Sequence, residues 1–369
     1  MLIDRIDRVL GRATERAIRA HHLRRLRRVD WEQALDPPDK GRWCAGEPQP
    51  RSRCSLEILI DGETALPAMA EAIKAAKSHV HITGWFASPD FELERDCEAK
   101  PLRDVLAEAA ERIPVRILLW AGSPAPPPPA GEHTLQLIRT VPQGIYNRLP
   151  RGDYRILEAY LRALRAARRL IYIENQFLWS PEVIEVLSDK LVRPPSKGFR
   201  LLVLLPVRAN NGADVTRGQA GELANMDDGA GRFLACSIYA QDDSGDPTPV
   251  YVHAKICIVD DEWLTLGSAN LNERSLFNDS EVNIVCNDVA LATATRERLW
   301  AEHLEMPLDE VHERDPTDLI DNVWCPIAVE QLRRRENQQP LTHRLVRLPA
   351  VSRHSRRLLG PLESFFVDG

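Results

Sequence analysis

The sequence predicts an α/β fold of two similar halves, in which mixed sheets are flanked by helices and the first half is truncated. Two stretches, from Ala65 and from Ile156, read ALPAMAEAIKAAKSHVHITGWF and ILEAYLRALRAARRLIYIENQF. Each has apolar residues at helical spacing and then passes through a short basic patch into a β-rich strand. The next apolar strands also match, VRILLWAGSP from Val115 and FRLLVLLPVR from Phe199. Helix–strand–helix–strand order that occurs twice is typical of a duplicated α/β fold.

Residues 1–50 are predicted to form a basic helix and a linker. MLIDRIDRVLGRATERAIRAHHLRRLRR has amphipathic spacing and ends in a cluster of Arg24, Arg25, Arg27 and Arg28. It lacks the apolar core of a signal peptide. The longest apolar run of the chain, LLVLLPV, is far shorter than the ~20 residues that span a bilayer. We therefore expect a cytoplasmic protein. The helix is either a solvated extension or lies on anionic lipid, which would make the protein peripheral on a membrane.

The remaining chain is predicted to contain two halves, a linker and a tail. Residues 51–125 form the first half and residues 154–305 the second. Between them, residues 126–153 begin with four prolines, which do not fit a central strand and indicate a stiff linker that continues into a loop. Residues 306–369 are predicted to be a C-terminal tail, since their arginine and proline content indicates an irregular surface segment.

Composition narrows the class of function. The net charge is −6, with 28% charged and 44% hydrophobic residues, which is ordinary for a soluble globular protein and disfavours a general nucleic-acid binder. Aromatic residues make up only 6%, and basic residues concentrate near the termini, so a stacking, basic groove for nucleic acid is not expected. Seven scattered cysteines include no CxxC and no zinc spacing, so we expect reduced thiols, no metal and no cofactor.

The stretch VHAKICIVDDEWLTLGSANL, from Val252, carries the residues best suited to chemistry. His253 and Lys255 are two residues apart in a predicted strand and therefore project from the same face. Ser268 lies in a turn after the next strand, and Asn270 follows. An imidazole, an ammonium, a hydroxyl and a carboxamide that converge from two strand ends suit a phosphoryl group, because cation and neutral donors can hold its oxygens. The alternative is that His253 only packs and Lys255 is only solvated.

The spacing H-x-K-x4-D-x6-G-S-x-N resembles the HKD motif of the phospholipase D superfamily at every fixed position. IYIENQF, from Ile171, resembles the strand that precedes the second motif in true phospholipases D, and the resemblance covers roughly Leu56 to Asn287. It implies a bilobed sandwich that hydrolyses a phosphodiester without a metal. The histidine of one motif would form a phosphohistidine, and that of the other would protonate the leaving alcohol.

The resemblance also implies roles for single residues. His253 belongs by position to the second motif and corresponds to the acid/base partner. Lys255 and Asn270 correspond to phosphate ligands, and Ser268 to a weaker one. Glu281 stands where the family has a carboxylate that fixes the tautomer of the imidazole, and the alternative is a solvated strand residue.

Four further residues, one in the motif and three in the preceding strand, could have either a functional or a structural role. Asp260 is part of the catalytic motif, although bracing the turn suits it better than chemistry. Glu174, Asn175 and Gln176 either line the cleft or hold the strand in place.

The chain has one copy of a motif that the chemistry needs twice. None of the other histidines is followed by a lysine two residues later. Either a homodimer brings two His253 side chains together across a two-fold axis, or the chain is an inactive remnant of a two-motif enzyme.

The resemblance implies a phospholipase D-like phosphodiesterase that hydrolyses or transfers the head group of phosphatidyl lipids at a membrane surface through a phosphohistidine. The alternatives are an inactive phosphate- or lipid-binding remnant, a single-motif dimeric nuclease and a cardiolipin synthase-like transferase.

Overall fold

The computed structural model describes residues 2–37, 43–84, 88–94, 99–119, 132–208, 213–241 and 247–348. The chain divides into two compact units. One comprises Met1–Arg53 and His133–Gly369, and the other comprises Cys54–Glu132. None of the helices in the described ranges is both long enough and apolar enough to cross a membrane.

The described residues form helices and strands in an order typical of an α/β protein. The helices are α1 Leu2–Arg28, α2 Asp61–Ala75, α3 Leu102–Ala110, α4 Arg155–Ala166, α5 Pro181–Val192, α6 Ala213–Asp227, α7 Val289–Leu304, α8 Leu308–His312, α9 Pro316–Leu319 and α10 Cys325–Glu336. The strands are β1 Arg51–Cys54, β2 Val80–Gly84, β3 Val115–Leu119, β4 His133–Val141, β5 Asp153–Tyr154, β6 Leu170–Asn175, β7 Arg200–Leu204, β8 Phe233–Gln241, β9 Pro247–Pro249, β10 Lys255–Val259, β11 Trp263–Gly267, β12 Glu281–Cys286 and β13 Leu345–Arg347.

The smaller unit consists of α2, β2, α3 and β3. The two strands pair in parallel, with Val80 opposite Val115. Apolar residues of the helices, among them Ile73 and Leu106, pack with Val80 into a separate small core. The predicted helix–strand–helix–strand order is therefore present. Residues 120–131, which include the whole proline run, lie outside the described residues.

One mixed sheet organises the larger unit. Within the described residues its strands follow the order β1-β4-β12-β11-β10-β6-β7-β8-β13, with β5 on β4 and β9 on β8. Strands β6, β7 and β8 are parallel, whereas β10, β11 and β12 are antiparallel to their neighbours. Helices flank the sheet, so the predicted α/β class with a mixed sheet is confirmed.

Strand β6 lies at the centre of this sheet, and each of its residues is buried. Its apolar run LIYIEN suits a strand that is covered on both faces. On one face, Ile171 and Ile173 join the main core with residues of α4 and α5. On the other, Tyr172 meets Trp300 and Trp324 edge to face, with ring centroids 5.6 and 6.5 Å apart. This burial fixes the strand whose end reaches the candidate site.

Two predicted irregular segments are folded instead. Residues 133–141, placed in the linker and loop of residues 126–153, form β4 and pair with β12. In β4 the polar residues Gln136 and Thr140 are buried, whereas the apolar Leu137 is exposed. The sequence therefore lacks the usual alternation of buried apolar and exposed polar residues that would predict this strand. Residues 306–348, placed in the tail, form α8 to α10 and β13. Leu319 and Trp324 are fully buried there, and β13 pairs with β8.

The N-terminal helix is docked, which corrects the expectation of a solvated extension. Ile18, His22 and Leu26, four residues apart on one face of α1, are all buried. His22 Nδ1 lies 2.7 Å from Glu182 Oε1 of α5, and the His22 ring stacks on Phe277 at 3.9 Å between centroids.

Candidate active site

Three strand ends meet at one edge of the main sheet. Strand β10 pairs antiparallel with β6 on one side and β11 on the other, which sets Lys255 opposite Asn175 and Ile256 opposite Leu266. The start of β10 therefore adjoins the ends of both neighbours. His253 lies two residues before β10 begins, not within the strand as the pattern predicts.

Gly267, the last residue of β11, is required by close approach of β12. A Cβ at this position would collide with the carbonyl oxygen of Val282 and with the side chain of Asn283. The glycine lets the chain turn beside β12 and deliver Ser268 and Asn270 toward the start of β10.

Lys255 is partly buried and points into this edge. Its Nζ donates a hydrogen bond to the carbonyl oxygen of His253 at 2.8 Å and another to Gln176 Oε1 at 3.2 Å. Burial lowers the pKa of Lys255 to about 8, and the negative charge of Glu281 partly opposes this shift. The site therefore holds a poorly hydrated cation that is still charged at neutral pH.

The ring of His253 is exposed at its edge and packs against Tyr251, with centroids 6.3 Å apart and an angle of 24°. Partial desolvation by the surrounding protein, helped by the positive charge of Lys255, lowers the pKa of His253. The imidazole is therefore mostly neutral at pH 7. Among the described residues, no side chain hydrogen-bonds this ring.

Gln176 connects the two sides of the site. Its Oε1 accepts hydrogen bonds from Lys255 Nζ at 3.2 Å and from Asn270 Nδ2 at 3.3 Å, and its Nε2 donates to Tyr251 Oη at 2.6 Å. The other carboxamide atom of Asn270, Oδ1, is buried and lacks a hydrogen-bond partner among the described residues. The structure thus brings His253, Lys255 and Asn270 together, as predicted from the sequence.

Ser268 and Glu281 form a second cluster beside this one. Glu281 Oε2 accepts a short hydrogen bond from Ser268 Oγ, and Glu281 Oε1 accepts one from Ser275 Oγ at 2.6 Å. Burial raises the pKa of Glu281, and the two serine hydrogen bonds oppose this shift. The structure does not bring the carboxylate to the His253 ring, so the role of fixing its tautomer stays a prediction. Glu281 instead orients Ser268.

Asp260 lies at the opposite end of β10, about 16 Å from Lys255 along the strand. Its carboxylate accepts hydrogen bonds from the backbone N–H groups of Arg168, Arg169 and Leu170, each at 2.7 Å. The inclusion of Asp260 among the catalytic residues is therefore corrected. It anchors the start of β6, and among the described residues its side-chain hydrogen bonds go to this segment and not to the candidate site.

The three polar residues at the end of β6 have separate roles. Glu174 Oε1 accepts hydrogen bonds from Tyr172 Oη and lies 3.2 Å from His303 Nε2 in the interior. Asn175 Oδ1 accepts the backbone N–H of Leu271 at 3.2 Å and so fixes the loop that carries Asn270. Only Gln176 reaches the site. Tyr251 was missed by sequence reasoning, although its position two residues before His253 places both on one side of the chain.

The charged groups at this edge suit an anion. Within the described ranges, no group of three or more His, Cys, Asp or Glu residues could hold a metal ion. No disulfide links the described cysteines, and Cys97 lies outside the described residues. The ammonium of Lys255 and the carboxamide of Asn270 point toward one position near a neutral imidazole. Fold and site together define an α/β protein with a candidate phosphoryl-binding site.

Part of the chain is similar to a known protein family. A family model described as "Cardiolipin synthase, PLD-like domain" matches residues 160–302, which contain β6, β10 and the whole H-x-K to Asn270 pattern. This segment, which is less than half of the chain, is similar to the phospholipase D-like domain.

Curated relatives include several phospholipases D. Phospholipase D zeta 1 of Arabidopsis thaliana is 28% identical over 253 residues, covering 52% of this chain and 23% of the relative. Phospholipase D2 of Bos taurus is 27% identical over 197 residues, covering 43% of this chain and 21% of the relative. The chain thus spans less than a quarter of the length of these two relatives.

Two solved structures were also similar to parts of the chain. Nuc, a phospholipase D family member from Salmonella typhimurium, is 20% identical with a TM-score of 0.34, covering 46% of this chain and 93% of that one. Phosphatidylserine synthase from Haemophilus influenzae is 12% identical with a TM-score of 0.36, covering 57% of this chain and 50% of that one.

Proposed function

We propose that this protein is a phosphodiesterase that hydrolyses or transfers the head group of phosphatidyl lipids. The proposal rests on one observation, the convergence of Lys255 Nζ and Asn270 Nδ2 on a single acceptor position near the exposed ring of His253. A cationic donor and a neutral donor that converge on one point are suited to a nonbridging phosphate oxygen. The similarity to curated phospholipases D favours a lipid diester over other phosphodiesters.

The proposed reaction has two displacements at phosphorus. An imidazole nitrogen attacks phosphorus, the bond from phosphorus to the leaving alcohol breaks, and a phosphohistidine forms. A second imidazole, protonated, gives its proton to the leaving alkoxide. Once neutral, it takes a proton from the water or alcohol that attacks the phosphohistidine and releases the first imidazole. Lys255 and Asn270 would stabilise the charge on the nonbridging oxygens in both steps.

The proposed reaction needs a second imidazole in addition to that of His253. Because the sequence has one H-x-K pattern, we propose that a second copy of the chain supplies it as a homodimer with the two His253 rings facing each other. The single motif also favours a second candidate, a phosphate- or lipid-binding protein without catalytic activity. The two candidates differ in turnover and not in binding.

The protein is proposed to meet its lipid substrate at a membrane surface. Arg24, Arg27 and Arg28 at the end of α1 are exposed, whereas the apolar face of that helix is docked. Exposed arginines in such a cluster are attracted to anionic lipid surfaces. Co-sedimentation with vesicles that contain phosphatidylglycerol, compared with vesicles of phosphatidylcholine alone, would detect this preference.

Head-group release from phospholipid vesicles tests the proposal. Wild-type protein should release head group, and His253→Ala should lower the rate by at least about 100-fold, as expected when a general acid or base is lost. His312→Ala is a matched control, since His312 is an exposed histidine whose ring, among the described residues, pairs with Glu297. Sedimentation velocity under assay conditions gives the oligomeric state.

Each outcome separates the candidates. No turnover above the His253→Ala variant, with lipid binding retained, favours the binding protein. Faster cleavage of DNA than of lipid favours a nuclease, and transfer to a second lipid alcohol in place of water favours a cardiolipin synthase-like transferase. Full activity in a monomer would contradict the shared site.

A further inference from the structure

Two groups with the geometry of phosphate ligands are both bound to one neutral side chain. Lys255 Nζ and Asn270 Nδ2 come from different strands, yet they donate to the same atom, Gln176 Oε1, at 3.2 and 3.3 Å. Gln176 itself is 8% exposed. The acceptor atom therefore lies at the point on which both donors converge.

The orientation of the Gln176 carboxamide is fixed from its other end. Nε2 donates to Tyr251 Oη at 2.6 Å, which turns Oε1 toward Lys255 and Asn270. Tyr251 also packs against the ring of His253. A movement of Gln176 would therefore reach both the donors and the residue beside the imidazole.

A neutral oxygen is a weak partner for a buried ammonium. Hydrogen bonds from a cation to an anionic oxygen are shorter and about twice as strong as those between neutral groups. The two donor distances to Gln176 Oε1 are longer than the ~2.9 Å usual for strong hydrogen bonds of this type. An anionic phosphate oxygen should therefore displace the carboxamide oxygen from both donors.

We propose that Gln176 Oε1 is an internal stand-in for a phosphate oxygen, which holds Lys255 and Asn270 in place until the substrate replaces it. Gln176 is in this view a positioning residue that competes with the substrate for its ligands. The inference rests on the proposed phosphate-binding function of the same site.

Two substitutions of Gln176 should change anion affinity in opposite directions. Gln176→Glu places a fixed negative charge at the position of the phosphate oxygen and should weaken sulfate binding by about tenfold or more near pH 8. Gln176→Leu removes the competing acceptor at similar volume and should bind sulfate about threefold more tightly than wild type. Isothermal titration with sulfate, whose charge is constant over this range, measures both.

The pH dependence separates competition from a structural defect. Sulfate affinity of Gln176→Glu should recover toward the wild-type value at the same pH only below about pH 4, where the introduced carboxylate gains a proton. A purely structural role would make both variants weaker binders, without recovery in acid, and would overturn the inference. Gln339→Glu, an exposed glutamine changed in the same way, is the charge control.

Failure of the inference and failure of the proposed function give different results. One result would be that wild type binds sulfate, that Lys255→Ala does not, and that both Gln176 variants bind it as wild type does. The inference about Gln176 would then be wrong, but the proposed phosphate site would remain. If wild type and Lys255→Ala bind sulfate equally weakly, both proposals are overturned.

Discussion

The ammonium of Lys255 lies 2.8 Å from the carbonyl oxygen of His253, so the cation of the candidate site holds the backbone that carries its imidazole. The two residues are therefore coupled in structure as well as in charge. Burial lowers the pKa of His253, and the positive charge of Lys255 lowers it further.

The charge state of Lys255 should set the alkaline limit of anion binding. Its pKa is about 8, so the cation is present below that pH and is lost as the pH rises through it. Sulfate affinity should therefore fall above about pH 8. Lys255→Arg keeps its charge to much higher pH and should move this limit upward by more than one pH unit. A limit that stays near pH 8 in the arginine variant would assign it to another group.

Glu281→Gln should move the same limit in the opposite direction. The carboxylate raises the pKa of Lys255, so its neutralisation should lower that pKa and weaken sulfate binding first at the alkaline end. Ser268→Ala is the comparison, because it removes a hydrogen bond to Glu281 and keeps the charge. Sulfate affinity measured against pH for both variants makes the test, and equal shifts would argue against a charge effect.

Asp260→Ala should reduce stability and leave anion binding unchanged. The carboxylate accepts three backbone hydrogen bonds at the start of β6, so its loss should lower the free energy of unfolding by about 1–3 kcal/mol. Asp228→Ala is matched in backbone, with φ of +48° against +54° for Asp260, and Asp228 is exposed. Urea unfolding compares the two. A loss of sulfate affinity in the folded Asp260 variant would restore Asp260 to the site.

His22→Ala should weaken the docking of α1 against α5 and lower the stability of the larger unit. It leaves the Glu182 carboxylate buried without its main partner, at a cost of about 3–5 kcal/mol. The contact with His22 opposes burial and lowers the pKa of Glu182. The stability from this pair is therefore present above the unfolded pKa and is lost as the pH falls through the lower folded value. The difference between wild type and variant should accordingly shrink in acid.

Arg19→Ala is the control for this effect. Arg19 pairs with Glu185 across the same two helices, but Glu185 is more than half exposed, so the expected loss is no more than about 1 kcal/mol. Thermal unfolding of both variants at several pH values is the measurement. Equal losses would show that any contact between α1 and α5 suffices.

The parts of the fold that sequence could predict are those whose polarity matches their burial. Strand β6 reads as a buried run and is buried throughout, and α4 before it has apolar residues at helical spacing. Strand β4 was missed because Gln136 is buried by hydrogen bonds to the backbone of Cys44 rather than by apolarity. Such a partner, 92 residues away, leaves no local pattern.

The candidate site was predictable in its composition and less so in its connections. The spacing of His253, Lys255 and Asn270 places them at adjoining strand ends, and they meet there. Gln176 could not be separated from Glu174 and Asn175 by sequence, because the register of β6 against β10 decides which of the three reaches Lys255. Asp260 is part of the motif because it holds the start of β6 in place. Its spacing from His253 and Lys255 does not distinguish this structural role from a catalytic one.

The positions of Asp260 and Lys255 in the motif are matched to the length of β6. Asp260 grips the first residue of β6, while Lys255, five residues earlier, stands opposite the last residue of the same strand. The four residues between them therefore measure the length of the neighbouring strand. An insertion or deletion in β6 or in the segment between Lys255 and Asp260 would break this correspondence. Either the hydrogen bonds of Asp260 to the start of β6 or the position of Lys255 at its end would be lost, so the two segments can change length only together.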